Sequence, residues 1–312
     1  MDVHQVVDGV LAREPRAIAR AISMVEDGDD ALPALSAGVF AHTGAAATVG
    51  LTGAPGVGKS TIATVLVRTA RAAGRRVAVL AIDPTSPYTG GALLGDRVRM
   101  QEHATDRHVF IRSMATRGHL GGMALAAPEA VRILDAAGFD LVIVETVGVG
   151  QAEIDVAAAT DTTIVVLAPG LGDAIQMAKA GILEVADLFV VNKADRDGAA
   201  EVQREVKQML HLGATRAWDP PVLATAAADG TGIDELWGAI ARHRTWLESS
   251  GTLAGDREAA VVHEVRALAG ERLAASVAAE LAGDDGIRAK LRDRALDPYA
   301  AADELIRRLA PG

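Results

Sequence analysis

Short apolar runs alternate with helical periodicities between residues 46 and 245, and that alternation predicts βαβ units in a parallel sheet. Strands are expected at 47–52, 76–82, 109–112, 140–145, 162–168, 187–192 and 221–225. Most are nearly continuous apolar runs, such as Leu141-Val142-Ile143-Val144. A strand of that kind has both faces covered by helices, so the expected fold is α/β with a doubly wound, mainly parallel sheet. Residues 1–45 carry a helical pattern, with Ile18, Ile22 and Val25 on one face, broken at Gly28-Asp29-Asp30. After residue 246 strand signals stop. Val261, Val265, Leu268 and Val277 share a helical face across 256–281, and a second helix is expected over 286–309. The anticipated organisation is therefore a helical segment (1–45), a sheet domain (46–245) and a helical arm (246–312). The pattern allows the arm to pack on its own domain or to grip a second subunit.

Composition narrows the class. The 312 residues are 50% hydrophobic and only 3% aromatic, which suits a helix-rich α/β core of small side chains. With no cysteine there is no disulfide, thiolate metal site or thiol nucleophile. The net charge of −10 disfavours a nucleic-acid partner, because phosphate backbones demand clustered Lys and Arg. Neither a signal-peptide start nor an apolar run approaching the ~18–20 residues of a membrane span is present. The expectation is a soluble, cytoplasmic protein with no membrane partner.

Gly53-Ala54-Pro55-Gly56-Val57-Gly58-Lys59-Ser60 matches the phosphate-binding loop pattern, follows the strand 47–52 and opens a helix over 61–73. Its glycines let backbone N–H groups curl round phosphates, and the Lys59 ammonium and Ser60 hydroxyl suit the β- and γ-phosphates and Mg²⁺. Thr61 continues the same cradle at the helix N-terminus, whose dipole favours anions. Ala54 excludes the second lysine of the ParA and MinD type of loop.

Asn192-Lys193-Ala194-Asp195 ends the strand 187–192. Asp195 can accept from guanine N1–H and the exocyclic amine, whereas adenine offers a lone pair and no amine, so a plain ATPase is disfavoured. Asn192 would support the loop and reach N7, and the Lys193 stem would cover the base. Thr225-Ala226-Ala227 is expected to lend a backbone N–H to guanine O6. The bound nucleotide is thus GTP or GDP.

Glu145-Thr146-Val147-Gly148 ends the strand 140–145, where an acid for the magnesium shell and a glycine for the γ-phosphate belong. Asp83 and Asp96 are further carboxylates that could reach the ion, which makes Ser60, Asp83, Asp96 and Glu145 the magnesium set. Val149 follows Gly148 and cannot orient water as a glutamine does, so intrinsic hydrolysis should be slow. Gln151, Arg117 and Lys179 are candidates to complete the site, and each reads equally well as a surface side chain. With Lys59, Glu145 and Asp83 they form the catalytic set. The histidines lack metal-ligand spacing.

These motifs, with Pro15–Ser23, Asp83-Pro84-Thr85-Ser86, Thr89–Asp96, Ser113–Gly118 and Glu145–Gln151, closely resemble the MeaB/ArgK family of methylmalonyl-CoA mutase-associated GTPases, and the likeness spans nearly the whole chain. The resemblance implies a GTPase that gates adenosylcobalamin loading and protection of an acyl-CoA mutase, with the cobalamin held by the partner, since no cobalamin site is visible on this chain. It also implies that Asp83, Asp96 and Glu145 belong to the magnesium and switch network, that Pro169–Lys179 is a further switch loop, and that the C-terminal arm dimerises. Ala174 departs from the family, which often has an acid there. An alternative label in the family is a kinase of a periplasmic amino-acid-binding transport protein. A nickel-insertion GTPase is disfavoured by the lack of cysteine.

Overall fold

A computed structural model describes residues 2–84, 103, 105–116, 122–146, 152–170, 182–213 and 216–309. Within them β1 (Ala47–Thr52), β2 (Val77–Pro84), β3 (Val109–Thr116), β4 (Leu141–Thr146), β5 (Thr162–Leu167), β6 (Leu188–Asn192) and β7 (Val222–Thr225) form one sheet. Its order is β3-β2-β4-β1-β5-β6-β7, and every pairing is parallel. The helices are α1 (Val3–Leu11), α2 (Pro15–Asp27), α3 (Leu32–Phe40), α4 (Lys59–Ala72), α5 (Gly122–Ala136), α6 (Ala152–Ala159), α7 (Ile182–Val185) and α8 (Ala199–Leu212). They continue with α9 (Ile233–Ser250), α10 (Thr252–Gly283), α11 (Asp285–Arg292) and α12 (Pro298–Leu309).

The two-residue period of each strand splits its apolar side chains between two cores. Ala78, Leu80, Ile82, Val142 and Val144 face a core that includes Val6, Ile18, Ile22, Leu35 and Ile133 of α1, α2, α3 and α5. Val77, Val79, Leu141 and Ile143 point the other way, onto Ile62, Leu66, Leu236 and Ala239 of α4 and α9. Each fully buried aliphatic side chain is worth about 1.5–3 kcal/mol, so the first three helices are part of the main core. On the β5–β6 side, Val165, Leu167, Phe189 and Val191 pack with Ala199 and Val206 of α8.

The strands run at or close to their expected positions, with β2 and β3 extending to residues 84 and 116. One expectation fails. The helix anticipated over 286–309 is two helices, because Pro298 cannot continue a helix and instead starts α12. Asp297 caps that start, accepting from the N–H groups of Tyr299 at 2.9 Å and Ala300 at 3.1 Å. The chain divides into two compact units, residues 1–260 and 261–312. In the second, Ile287, Ala301 and Leu305 make a small core with Val277, Leu281, Leu291 and Leu296.

At the N-terminal edge of the sheet the first unit is tied by buried charge. The Asp161 carboxylate accepts from Arg257 Nε and Nη2, both at 2.8 Å, from Arg244 Nη1 at 3.0 Å and from the Thr48 N–H at 3.1 Å. Asp135 takes the N–H groups of Gly44 and Ala46 at 2.5 and 2.9 Å, which fixes the entry to β1.

Nearby, His243 is buried between Trp218 and Trp246, with ring centroids 4.8 and 5.7 Å away. Its Nδ1 meets Thr162 Oγ1 at 2.9 Å, and its Nε2 lies 3.5 Å from Asp187 Oδ1. Burial pushes the Asp187 carboxyl up to about 6, with the like charge of Asp256 adding to it, although the Thr163 N–H at 2.7 Å opposes the shift. Burial likewise brings the His243 imidazole down to about 4. The signs follow from linkage. The stability from protonated Asp187 is complete below the ordinary carboxyl range and is lost as pH rises through about 6. That from neutral His243 is present above its ordinary value of 6.5 and is lost as pH falls through about 4. Asp187→Asn keeps an acceptor for Thr163 and removes the first titration. Its urea midpoint, relative to the unsubstituted protein, is expected to climb between pH 4 and pH 7; a difference independent of pH would refute the assignment.

Candidate functional site

β1 is the central strand at which the winding direction reverses, so its carboxyl end opens the crevice where ligands of this fold bind. The loop from Gly53 to Gly58 leaves that end and enters α4. Gly53 has φ +133°, and a Cβ there would lie 2.2 Å from the Val166 carbonyl of β5. Gly58 has φ +101°, with a Cβ position 2.3 Å from Asn192 Nδ2. Only glycine tolerates both the backbone angle and the contact at these two positions.

Side chains hold the carbonyls of Gly53, Ala54, Gly56 and Val57. Lys59 Nζ donates to the carbonyls of Gly53 at 2.7 Å and Ala54 at 3.1 Å, and Lys193 Nζ to that of Gly56 at 2.6 Å. Asn192 Nδ2 donates to the Val57 carbonyl at 2.8 Å. Carbonyls held in this way leave an anion to the loop's N–H groups and the start of α4. Lys59 and Ser60 are buried there.

Asn192 ends β6, and its other amide atom reaches a third segment. Oδ1 accepts from Thr225 Oγ1 and from the Ala227 N–H, both at 3.1 Å. Ala194 N–H donates to the Thr225 carbonyl at 2.9 Å. Lys193 sits at φ +57°, a left-handed angle that lets the chain double back after the strand. Asp195 follows in the turn with its side chain exposed. The phosphate loop, the Asn192–Asp195 tetrad and the segment 225–227 therefore form one hydrogen-bonded unit. In the last of these, the Ala226 N–H donates to the Thr231 carbonyl at 3.0 Å and the Ala227 N–H to Asn192 Oδ1 at 3.1 Å.

Glu145 is the last residue but one of β4, the neighbour of β1, in register with Leu51. This pairing brings its carboxylate to the head of α4, where the Ser60 hydroxyl donates to Oε1 at 2.6 Å. Both side chains are buried. An all-oxygen pair of this kind suits a hard divalent cation such as Mg²⁺. Thr61 lies in the first turn of α4. Asp83 is placed in β2, one strand beyond β4, with only its backbone described. Asp96, Arg117, Gly148, Gln151 and Lys179 lie outside the described residues.

Fold and site together define a P-loop nucleotide-binding protein with a guanine tetrad. The chain belongs to the family described as methylmalonyl Co-A mutase-associated GTPase MeaB, which matches residues 18–282. A relative from Pyrococcus horikoshii is 44% identical over 98% of both chains. The GTPase ArgK of Escherichia coli is 40% identical over 81% of this chain and 79% of its own. The methylmalonic aciduria type A homolog, mitochondrial, of Mus musculus is 40% identical over 67% of this chain and 52% of its own. The solved structure of an LAO/AO transport system kinase superposes with a TM-score of 0.73 at 28% identity, over 98% of this chain and 97% of that one.

Asn192→Ala removes three hydrogen bonds at once and opens the Val57 carbonyl. Affinity for GDP, measured by calorimetry, is expected to fall at least about 100-fold, since buried partners left unpaired cost about 1–3 kcal/mol each. An unchanged affinity would show that the phosphate loop holds its shape without the tetrad.

Proposed function

We propose that this chain hydrolyses GTP to gate the loading and protection of adenosylcobalamin in methylmalonyl-CoA mutase or a related acyl-CoA mutase. The observation that carries the nucleotide half is the Asn192 bridge, which joins a phosphate cradle to a guanine-reading turn. The family's own description supports the mutase half, as does the methylmalonic aciduria relative.

In this reading the tetrad orients the base, Asp195 pairs with guanine N1–H and the amine, and Lys59 exchanges its loop carbonyls for phosphate oxygens. Ser60 and Glu145 hold Mg²⁺, with Asp83 and Asp96 assigned to the same network. Bound magnesium supplies charge neutralisation at the β- and γ-phosphates. Water adds to the γ-phosphorus, the bond to the β–γ bridging oxygen breaks, and GDP and phosphate leave. Gly148 serves the γ-phosphate. Gln151, Lys179 and Arg117 are assigned to completing the site when the mutase binds, so the intrinsic rate is slow. Coupling requires only that the mutase bind the GTP and GDP states unequally.

The arm supports a homodimer. Val262, Val265 and Leu268 of α10 are 44%, 58% and 38% exposed at spacings of three, a helical apolar stripe open to a second copy. Light scattering on Val265→Glu is expected to show a monomer; a dimer as stable as the parent's would refute this assignment.

The test is GTP turnover with and without methylmalonyl-CoA mutase, read as inorganic phosphate. Stimulation of at least about ten-fold is expected, and no rate change with no complex would sink the partner assignment. Label retained on a protein instead of free phosphate would favour the kinase alternative. Asp195→Asn is expected to lose GTP affinity by at least about 100-fold and to accept xanthosine triphosphate. Unchanged GTP affinity would refute the base assignment.

A further inference from the structure

Pro15–Ser23 carries part of the family resemblance, yet it is not one of the motifs that meet nucleotide. It makes up most of α2, which buries Ile18, Ile22 and Val25 in the core shared with β2 and β4. The same helix also meets β3, the strand at one end of the sheet order, whose neighbour in the sheet is β2. By the two-residue period of a strand, Phe110, Arg112 and Met114 lie on one face of β3, and Phe110 and Met114 pack in the α2 core. A guanidinium between them is out of pattern, because a charge on a core-facing position is rare unless it is paired.

Arg112 is paired with α2. Its Nη2 donates to Ser23 Oγ at 2.8 Å and to Glu26 Oε2 at 2.5 Å. The side chains of Arg112 and Glu26 are only 18% and 10% exposed. An ion pair this far from water adds little stability over apolar side chains of the same volume, but breaking it strands a charge. Its best use is to specify position, as a lone polar group does in an apolar helix seam. A strand that slips by two residues keeps every side chain on its own face, so apolar packing alone resists such a slip weakly. With Arg112 in place, the slip would set Phe110 or Met114 against Glu26 and leave both charges unpaired.

The register of β3 matters most at the far end of β2. There β2 pairs with β4 as far as Ile82, opposite Thr146. Its pairing with β3 runs on, with Asp83 opposite Ala115 and Pro84 opposite Thr116. Among the described residues, β3 is thus the strand that holds the Asp83 main chain past the end of the β4 pairing. We propose that Glu26 and Arg112 are positioning residues for the nucleotide site: by locking β3 to α2 they set the β2–β3 register that delivers Asp83 to the magnesium network. The inference rests on the assignment of Asp83 to that network in the proposed function. Both residues act through the two strands and not on the ion itself.

The test reads magnesium binding without turnover. Release of a fluorescent, non-hydrolysable GTP analogue from the full chain is timed across a Mg²⁺ titration, and the Mg²⁺ concentration that half-slows release is compared among variants. These are the parent, Asp83→Asn, Glu26→Ala and the double substitution Glu26→Leu with Arg112→Met. Both pair variants are expected to raise the Mg²⁺ midpoint about ten-fold, the lower end of what losing an outer support costs in metal affinity, and Asp83→Asn to raise it at least as far. Release in EDTA is expected to match the parent's, because the phosphate loop and the guanine tetrad are untouched. The double variant is expected to melt no lower than the parent, since both charges leave together; Glu26→Ala carries the test by itself if that variant does not fold. Pair variants that melt lower yet keep the parent's Mg²⁺ midpoint would make the ion pair merely structural and overturn the proposal, as would faster release in EDTA. A shift in Asp83→Asn alone refutes the positioning and leaves the magnesium assignment standing. No shift in Asp83→Asn refutes that assignment and the proposal with it.

Discussion

The Asn192 carboxamide sits between two loops and spends both of its atoms on them. Its N–H side holds the Val57 carbonyl, and its oxygen takes Thr225 and Ala227. Asn192 and Val57 are 135 residues apart in the chain, so the bond exists only after β1 and β6 have taken their places on either side of β5. It is buried, and buried amide bonds are costly to leave unmade. Phosphate cradle and base reader are therefore a single rigid object. Gly58 completes the fit by leaving the 2.3 Å approach that any side chain would block.

A polar framework at the other end of the strands holds that object in position. Asp161 and Asp135 gather the chain entering β1, the start of β5 and the side chains of Arg244 and Arg257. Removing one partner from such a cluster strands the others, which commonly costs about 3–5 kcal/mol. The N-terminal helices add apolar burial against β2 and β4. Chemistry at one edge of the sheet thus rests on charge and packing fixed at the opposite edge.

Much of this was legible beforehand. Apolar runs give strands whether or not the partners are known, and the seven runs became the seven strands. Glycine and lysine at fixed spacing after the first strand, and Asn192–Asp195 after the sixth, carry their chemistry in local sequence. Glu145 was legible as an acid at a strand end. Its 2.6 Å bond to Ser60 was not, since that depends on β4 pairing beside β1. The engagement of Ala226 by Thr231 also escaped the sequence, because a turn that closes on itself through backbone atoms leaves no residue signature.

Residue order by itself determined the class of the protein, its parallel sheet and the loops that meet nucleotide, because those properties reside in local periodicity and in short motifs. Tertiary structure alone decided the strand order, the bridge from Asn192 to Val57, and the burial that moves Asp187 and His243 in opposite directions. Each of these depends on residues far apart in sequence sharing a few ångströms of space. Spacing along the chain holds no record of such distances, which the packing of helices on both faces of the sheet sets.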